Sequence, residues 1–320
     1  MKAIQVREFG GPEVLKLEEI PIPSPGPGEA LVRVHAAGVN PYDTYMRSGT
    51  YAIRPPLPYT PGSDAAGIVE ALGEGVTRVK RGDRVYTART LSGAYAEYAL
   101  AKETQLHPLP EKISFAQGAG IWVPYGTAYF ALYLCAHARA GQSLLIHGAS
   151  GGVGTAAVQM ARALGLTVYG TAGSEKGLEL VRREGAHRVF LHSKSGYQDE
   201  ILAATGGRGV DLILEMLANV NLAADLKLLS TGGRVVVIGS RGEVTIAPRD
   251  LMMRRAAILG FALWGINEAE EREIHAGIAA GLECGAYRPV VGSELPLAEA
   301  QRAHVEILQS GAFGKIVLVP

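Results

Sequence analysis

Short apolar runs alternate with turn-forming residues over the first third of the chain. Runs at 30–35, 65–69 and 83–86 are separated by clusters rich in glycine and proline, of which the clearest lies at 21–28. Many short strands with this punctuation are typical of a barrel or a sandwich. We therefore predict that residues 1–112 are mainly β.

After about residue 140 the pattern changes to apolar strands that alternate with helices of about ten residues. Strands are predicted at 143–147, 167–171, 188–191, 210–214, 233–238 and 257–261, and helices at 153–164, 175–184 and 197–204. This alternation indicates βαβ units and a parallel sheet. Because the strands are almost wholly apolar, we expect helices on both faces of the sheet. The tail adds predicted helices at 269–283 and 297–308 and a strand at 315–319.

These patterns predict an α/β protein with a doubly wound, Rossmann-type parallel sheet and a second, mainly β domain. The predicted boundaries are 1–117 for the β domain, completed by 266–320, and 118–265 for the sheet domain. No internal repeat and no low-complexity linker separates the two regions. We therefore expect a firm interface, with the functional site in the cleft between the domains.

One segment tests whether the protein is soluble. Residues 113–138 contain no Asp, Glu, Lys or Arg, and the segment is long enough to span a bilayer. It also contains Gln117, Pro124, Thr127 and several glycines, whose polar groups and backbone breaks fit a folded interior better. We interpret it as a buried junction between domains and not as a membrane span.

Composition and charge narrow the classes of function. The 31 basic residues balance 31 acidic ones, whereas a general polyanion binder needs an excess of basic charge. Cys135 and Cys284 are too few for a disulfide framework or a cysteine-built metal cage, so we expect reduced, buried thiols in a cytoplasmic protein. Residues 1–8 are charged and lack the apolar core of a signal peptide. Neither a membrane nor a nucleic acid is an expected partner.

The sharpest local motif is HGASGGVG at 147–154. Its spacing, Ala149-x-Gly151-x-x-Gly154, is a dinucleotide fingerprint with alanine in the first place. Small residues in such a turn let the backbone approach a pyrophosphate, and the helix N-terminus offers N–H groups to the anion. The motif follows a predicted strand and opens a predicted helix, which is the context that it requires. It predicts a dinucleotide cofactor.

The end of the second strand of the βαβ series indicates which nicotinamide is preferred. NAD sites usually place a carboxylate there for the ribose 2′-hydroxyl, but residues 167–174 contain none. Ser174 and Lys176 are predicted to bind a 2′-phosphate instead, although Glu175 dilutes the positive charge. One charge-assisted hydrogen bond contributes about 1.5–3 kcal/mol, or roughly 10- to 100-fold in affinity. We therefore predict NADPH over NADH.

A β domain followed by a dinucleotide domain resembles the medium-chain dehydrogenase/reductase superfamily over essentially the whole chain. The resemblance implies that the first domain is GroES-like and catalytic. Where the zinc alcohol dehydrogenases of that superfamily carry a Cys and a His, this chain has Asn40 and Ser63, which are poor zinc ligands. Residues 80–115 contain no cysteine for a structural zinc, and the eight histidines show no ligand spacing. No metal site is predicted.

Within that superfamily, the motifs at 38–49, 59–64 and 148–154 resemble the zinc-free quinone oxidoreductases, and those at 215–222 and 239–242 resemble the zeta-crystallin branch. The resemblance implies NADPH-dependent quinone reduction by a homo-oligomer, either a dimer or a tetramer. Residue by residue, it implies cofactor contacts at Tyr45, Ser150, Gly151, Gly152, Val153, Gly173, His192, Asn221, Ile238, Gly239, Ser240 and Arg241.

A quinone is already electron-poor, so the protein needs only to hold it against the nicotinamide in a dry, oriented cleft. Our candidates for orienting the quinone oxygens are Asn40, Tyr45, Tyr51 and Thr127. Transfer of a hydride and transfer of single electrons both stay open.

Two other functions also stay open. The first is NADPH-dependent reduction of activated C=C bonds in enals or enones, which would use the same cofactor site. The second is an NADPH-binding structural or RNA-binding protein, as the zeta-crystallin branch implies. Zero net charge and the lack of a basic stripe interleaved with aromatic residues argue against RNA.

Overall fold

The computed structural model describes residues 1–320 in two compact units. Unit 1 comprises Met1–Val123, Pro289–Gln309 and Gly314–Pro320, and unit 2 comprises Pro124–Arg288 and Ser310–Phe313. The strands are β1 (Lys2–Gln5), β2 (Lys16–Glu19), β3 (Glu29–Gly38), β4 (Asp64–Leu72), β5 (Arg84–Thr87), β6 (Tyr98–Lys102), β7 (Leu106–Pro108), β8 (Ser143–Ile146), β9 (Thr167–Ala172), β10 (Arg188–Leu191), β11 (Val210–Glu215), β12 (Leu229–Val237), β13 (Ala257–Gly260), β14 (Val291–Pro296) and β15 (Lys315–Val319). The α-helices are α1 (Pro41–Ser48), α2 (Phe115–Gly118), α3 (Trp122–Tyr129), α4 (Gly152–Ala163), α5 (Glu175–Arg183), α6 (Tyr197–Ala204), α7 (Ala218–Leu228), α8 (Pro248–Arg254), α9 (Glu268–Glu283) and α10 (Ala300–Glu306).

Unit 1 is built on a seven-stranded sheet in the order β14-β15-β3-β4-β5-β7, with β6 also paired to β3. Nearly all pairs are antiparallel; only β14 and β15 are parallel. The core packs residues that are far apart in sequence, including Ile4, Val34, Tyr95, Leu297 and Leu318. The prediction of a mainly β first domain is confirmed.

Unit 2 contains a six-stranded parallel sheet in the order β10-β9-β8-β11-β12-β13. The chain runs outward from β8 through β9 to β10, and then outward on the other side from β11 to β13. The strand order therefore reverses between β8 and β11, and ligands of open α/β sheets bind at such a switch point, beyond the carboxyl ends of the strands. The predicted doubly wound fold is confirmed.

The unit boundaries differ from the predicted domains in the tail. We predicted that 266–320 completes the first domain, but α9 lies in unit 2. Gly277 of α9 accommodates the Tyr129 ring, where an added Cβ would lie 2.2 Å from Tyr129 Cε2. Tyr129 Oη also donates to Glu273 Oε1 at 3.5 Å. Apolar periodicity marks a helix but does not say which sheet it covers.

The uncharged segment at 113–138 is divided among α2, α3 and a π-helical stretch, Phe130–Cys135. No helix of the protein is both long enough and apolar enough to cross a membrane. Of the two free cysteines, Cys135 is half-buried and Cys284 is exposed, so the prediction of buried thiols is wrong for Cys284.

Candidate functional site

The turn between β8 and α4 has the geometry of an anion site. Gly148 adopts a left-handed conformation with φ +58°, and Gly151 caps α4 with an extended backbone. Two bonds attach the turn to β9: Ala149 N donates to Thr171 O at 2.8 Å, and Gly148 N donates to Thr171 Oγ1 at 3.2 Å. The first-turn N–H groups of a helix have no partner within the helix, so this N-terminus can bind a phosphate.

The two glycines of the fingerprint play different structural roles. A Cβ on Gly154 would lie 2.5 Å from Gly148 O and 2.6 Å from Ala149 Cα, so Gly154 is needed for α4 to pack on the turn. A Cβ on Gly151 would meet nothing closer than 3.5 Å. The fold therefore has no need of glycine at 151, and its missing side chain leaves the backbone open to an approaching ligand. The turn fits the pyrophosphate of a dinucleotide.

Ser174 and Lys176, the two residues that we predict to bind a 2′-phosphate, follow β9. Ser174 caps α5, and its Oγ accepts from Gly177 N at 3.2 Å. Lys176 is exposed, and its ammonium lies 4.3 Å from the centre of the Phe313 ring. Of the two predicted 2′-phosphate residues, Ser174 thus uses its hydroxyl oxygen as a helix cap, while Lys176 keeps its charge at the surface.

Sequence reasoning missed the segment Ser310–Phe313, which lies beside these residues. Ser150 Oγ donates to Ala312 O at 2.6 Å, and Phe313 carries the Lys176 contact. A Cβ on Gly173 would lie 3.2 Å from Gly311 N. The segment thus adjoins three predicted cofactor residues, Ser150, Gly173 and Lys176. The sequence of this segment, SGAF, has no pattern that predicts its place beside the phosphate-binding turn.

The other predicted cofactor residues of unit 2 follow three strands of the parallel sheet, β10, β11 and β12. His192 Nδ1 lies 3.1 Å from Thr171 Oγ1, and burial lowers the pKa of His192. Asn221 Nδ2 donates to Glu215 Oε1 at 3.1 Å. Arg241 N donates to Asn219 Oδ1 at 2.9 Å, which joins the segment after β12 to α7. His192, Asn221 and the segment Ile238–Arg241 therefore share the carboxyl edge of the sheet, while their contacts with a cofactor stay predictions.

A buried cluster lies at the switch point, directly before the phosphate-binding turn. His147 Nε2 is 2.8 Å from Asp225 Oδ1 and 3.7 Å from Glu215 Oε2, and all three side chains are almost fully buried. Glu215 Oε1 accepts from Leu217 N and Asn221 Nδ2, so the cluster anchors the loop after β11. Burial raises the pKa of Glu215 and of Asp225 to about 7 and lowers the pKa of His147.

This cluster is a grouping that sequence reasoning did not find, because its members are far apart in the chain. One His and two carboxylates within 4.8 Å of one another are of the type that binds metal ions. Here the His147 nitrogen already bonds directly to Asp225, however, and that bond uses the atom that a metal would need. We interpret the cluster as a proton-sharing anchor for the loop.

In unit 1, Asn40 begins α1 and is buried. Its backbone N donates to Asp43 Oδ2 at 2.8 Å, and its side-chain Nδ2 donates to Asp64 Oδ2 at 3.1 Å. Lys315 Nζ donates to Asn40 Oδ1 at 2.5 Å and to Asp64 Oδ2 at 3.2 Å. Ser63 Oγ bonds to the Tyr42 hydroxyl. A catalytic zinc does not fit here, because a lysine ammonium already lies against the oxygens that would face it.

The remaining predicted quinone residues lie in both units. Tyr45 and Tyr51 are half-buried, and Tyr45 O accepts from Thr50 N at 3.0 Å and from Tyr51 N at 3.2 Å. The Tyr51 ring lies 5.9 Å from the Tyr42 ring. Thr127 is a buried residue of α3 in unit 2. The structure thus brings Tyr45 and Tyr51 together at the end of α1, and the roles of these residues stay predictions.

Comparison with known proteins agrees with this geometry. Residues 26–111 match the family model of the alcohol dehydrogenase GroES-like domain, and residues 152–277 match that of the zinc-binding dehydrogenases. The chain is 53% identical to the quinone oxidoreductase of Rattus norvegicus over 321 residues, covering 100% of this chain and 98% of that protein.

Two solved structures are similar over their full lengths. The Escherichia coli quinone oxidoreductase complexed with NADPH gives a TM-score of 0.89 at 30% identity, with 100% of both chains covered. The quinone oxidoreductase of Thermus thermophilus, also solved with NADPH, gives 0.87 at 36% identity, again with 100% of both chains covered. The resemblance seen in the motifs is confirmed: the chain belongs to the quinone oxidoreductase (zeta-crystallin) family of the medium-chain dehydrogenase/reductase superfamily.

Proposed function

We propose that this protein is an NADPH:quinone oxidoreductase that works without zinc. The observation that carries the proposal is the 53% identity over the whole chain to a quinone oxidoreductase. The phosphate-binding turn and Lys176 support the cofactor, and NADPH is also the cofactor in two of the similar solved structures. The contact of Lys315 with Asn40 and Asp64 supports a reaction that uses no metal.

The chain's own groups bind and orient the reactants. The N-terminus of α4 and the open backbone at Gly151 hold the pyrophosphate, and Ser174 and Lys176 hold the 2′-phosphate. The predicted contacts at Tyr45, Gly173, His192, Asn221 and Ile238–Arg241 hold the rest of the cofactor. When bound, NADPH supplies two electrons and a proton, so that a quinone and one proton from water give a hydroquinone and NADP⁺.

Asn40, Tyr45, Tyr51 and Thr127 orient the quinone in this proposal. All four can form hydrogen bonds to a carbonyl oxygen. Hydrogen bonds that orient the quinone are enough for its reduction. The quinone ring itself stabilises the oxygen that is reduced, so the protein has only to supply orientation. An alcohol substrate would need a group to remove the hydroxyl proton.

We also propose a homo-oligomer in a reducing compartment, the cytoplasm. Strand β13 is an edge of the six-stranded sheet, and an open edge can pair with another strand. Met252 and Met253 of α8 are 74% and 73% exposed, and large exposed apolar side chains of this kind suit a protein interface. The two free cysteines suit a compartment that keeps thiols reduced.

Steady-state oxidation of NADPH by a panel of quinones and enals, together with reduction of NADP⁺ by primary alcohols, tests the proposed function. We expect turnover with quinones and none with alcohols, because the latter need base or metal assistance. Faster turnover of an enal than of any quinone would favour the C=C reductase instead. Salt-dependent retention of RNA on filters by a protein that oxidises no NADPH would favour the binding protein.

A further inference from the structure

The Lys315 side chain runs through the interior of unit 1. Lys315 is the first residue of β15 and is 4% exposed. Two glycines leave room for its stem: a Cβ on Gly38 would lie 2.6 Å from Lys315 Cε, and one on Gly120 would lie 3.6 Å from Lys315 Cβ. A Cβ on Gly38 would also lie 2.1 Å from Ala119 O, so the space beside this glycine is filled by backbone and by the Lys315 stem together.

The ammonium at the end of the stem closes a buried triangle. Lys315 Nζ donates to Asn40 Oδ1 and Asp64 Oδ2, and Asp64 Oδ2 also accepts from Asn40 Nδ2. Asp64 Oδ1 accepts from Val123 N at 3.4 Å. A buried charge is tolerated only when it is paired and hydrogen-bonded. Lys315 and Asp64 meet that condition for each other, and both of them bond to Asn40.

The triangle gives the Asn40 amide a single orientation. An ammonium can only donate hydrogen bonds, and a carboxylate can only accept them. A flipped amide would place its NH₂ against Lys315 and its oxygen against Asp64, with two repulsive contacts. In the observed orientation one N–H of Asn40 Nδ2 bonds to Asp64, and the other stays available as a donor.

We propose that Lys315 is a positioning residue of the quinone site, which with Asp64 orients the Asn40 amide to donate to a quinone oxygen. The inference rests on the proposed function. Whether the electrons arrive as a hydride or one at a time, that oxygen gains negative charge as the quinone is reduced and then takes a proton from water. A donor that is held beside a cation is stronger toward that anion than toward the neutral quinone. Lys315 thereby supplies positive charge beside Asn40, one of the two residues that replace the zinc ligands of the alcohol dehydrogenases in the sequence.

The test removes both charges together, because loss of Lys315 alone would leave a buried carboxylate unpaired. We expect the Asp64→Asn/Lys315→Met variant to bind NADPH with a Kd within about twofold of wild type. Its kcat for 1,4-naphthoquinone should fall about 10- to 100-fold, with a smaller change in KM, because the contact is strongest in the transition state. Lys102→Met, at an exposed lysine of β6, is the matched control and should leave all these values unchanged.

A double-mutant cycle separates positioning from mere structural support. We call the Asp64→Asn/Lys315→Met variant the neutral pair. If Lys315 acts through Asn40, then adding Asn40→Ala to the neutral pair should lower kcat by no more than about twofold further. A full additional loss, equal to that of Asn40→Ala in the wild type, would overturn the proposal. So would a neutral pair that keeps the wild-type kcat.

If the neutral pair does not fold, Asp64→Asn alone decides: it keeps the shape of the carboxylate and an amide oxygen that still accepts from Lys315, and Asn40 Oδ1 remains as a second acceptor for the ammonium. An asparagine can donate as well as accept, so it no longer defines the Asn40 orientation. We expect kcat to fall about 3- to 10-fold at an unchanged NADPH Kd, and an unchanged kcat would overturn the proposal. A wild-type protein that reduces no quinone would instead overturn the proposed function, and this inference with it.

Discussion

Alanine substitutions at Gly151 and Gly154 separate ligand binding from packing in the phosphate-binding turn. In Gly154→Ala the new methyl would lie 2.5 Å and 2.6 Å from backbone atoms of Gly148 and Ala149, which cannot move without displacing the turn from α4. Overpacking of this kind costs about 1–3 kcal/mol, and the better helix propensity of alanine offsets about 0.5–1 kcal/mol. Mid-range values of the cost and the offset leave an expected net loss of about 1 kcal/mol in the free energy of unfolding.

Gly151→Ala should have the opposite profile. Its methyl would lie 3.5 Å from Gly148 O and 3.6 Å from Ala312 Cβ, which are ordinary contacts, and φ −78° suits alanine. Alanine is a weaker helix cap, which costs at most about 1 kcal/mol. The methyl should keep the pyrophosphate from the helix N-terminus and remove one charge-assisted hydrogen bond of about 1.5–3 kcal/mol, so that the NADPH Kd rises roughly 10- to 100-fold.

Urea unfolding and fluorescence titration with NADPH measure the two effects. Gly265→Ala is the matched control in unit 2, because a Cβ there meets no atom within 4 Å, and it should change neither quantity. Wild-type NADPH affinity in Gly151→Ala would refute the placement of the pyrophosphate at this turn. Wild-type stability in Gly154→Ala would refute the packing argument.

Three further predictions concern the His147–Glu215–Asp225 cluster, the 2′-phosphate of NADPH and Tyr45. Burial raises the pKa of Glu215 and Asp225 to about 7 from ordinary values of 4.5 and 3.8, so the folded state binds more protons than the unfolded one between these values. The contribution of these two carboxyls to the free energy of unfolding should therefore fall as pH rises from 5 to 8, and Glu215→Gln should remove about 1–3 kcal/mol of that fall, measured as the difference in pH slope between variant and wild type in urea titrations; equal slopes would contradict this. Lys176→Met should raise the NADPH Kd roughly tenfold and leave the NADH Kd unchanged, whereas equal effects on both would exclude a 2′-phosphate contact. Tyr45→Phe should lower cofactor affinity or quinone turnover about three- to tenfold at constant Tm, whereas lost stability with unchanged kinetics would identify Tyr45 as a core residue.

Contiguous patterns were the part of the structure that the sequence predicted best. The helix Tyr197–Ala204 and the strands Arg188–Leu191 and Lys315–Val319 have the predicted bounds, because each is a short periodic run with breaks on both sides. The HGASGGVG turn was predictable for the same reason, since its strand, glycines and helix are neighbours in the chain.

Contacts between distant residues could not be predicted from such patterns. Lys315 and Asn40 are 275 positions apart, and the sequence pattern placed Lys315 only at the start of a terminal apolar strand. His147 meets Asp225, 78 positions away, only because the sheet brings β8 beside β11. Helix α9 is assigned to unit 2 by its packing on Tyr129, about which its own periodicity carries no information. In each case the partner is set by sheet topology, which pattern alone leaves open.

The most direct test of the account is the rate of NADPH oxidation by 1,4-naphthoquinone, measured on purified protein before and after exhaustive treatment with a zinc chelator. The account predicts quinone turnover that is faster with NADPH than with NADH and is unchanged by the chelator, with no stoichiometric zinc by elemental analysis. Turnover that disappears with the chelator and returns with zinc would contradict the account. So would a purified protein that does not oxidise NADPH when 1,4-naphthoquinone is supplied.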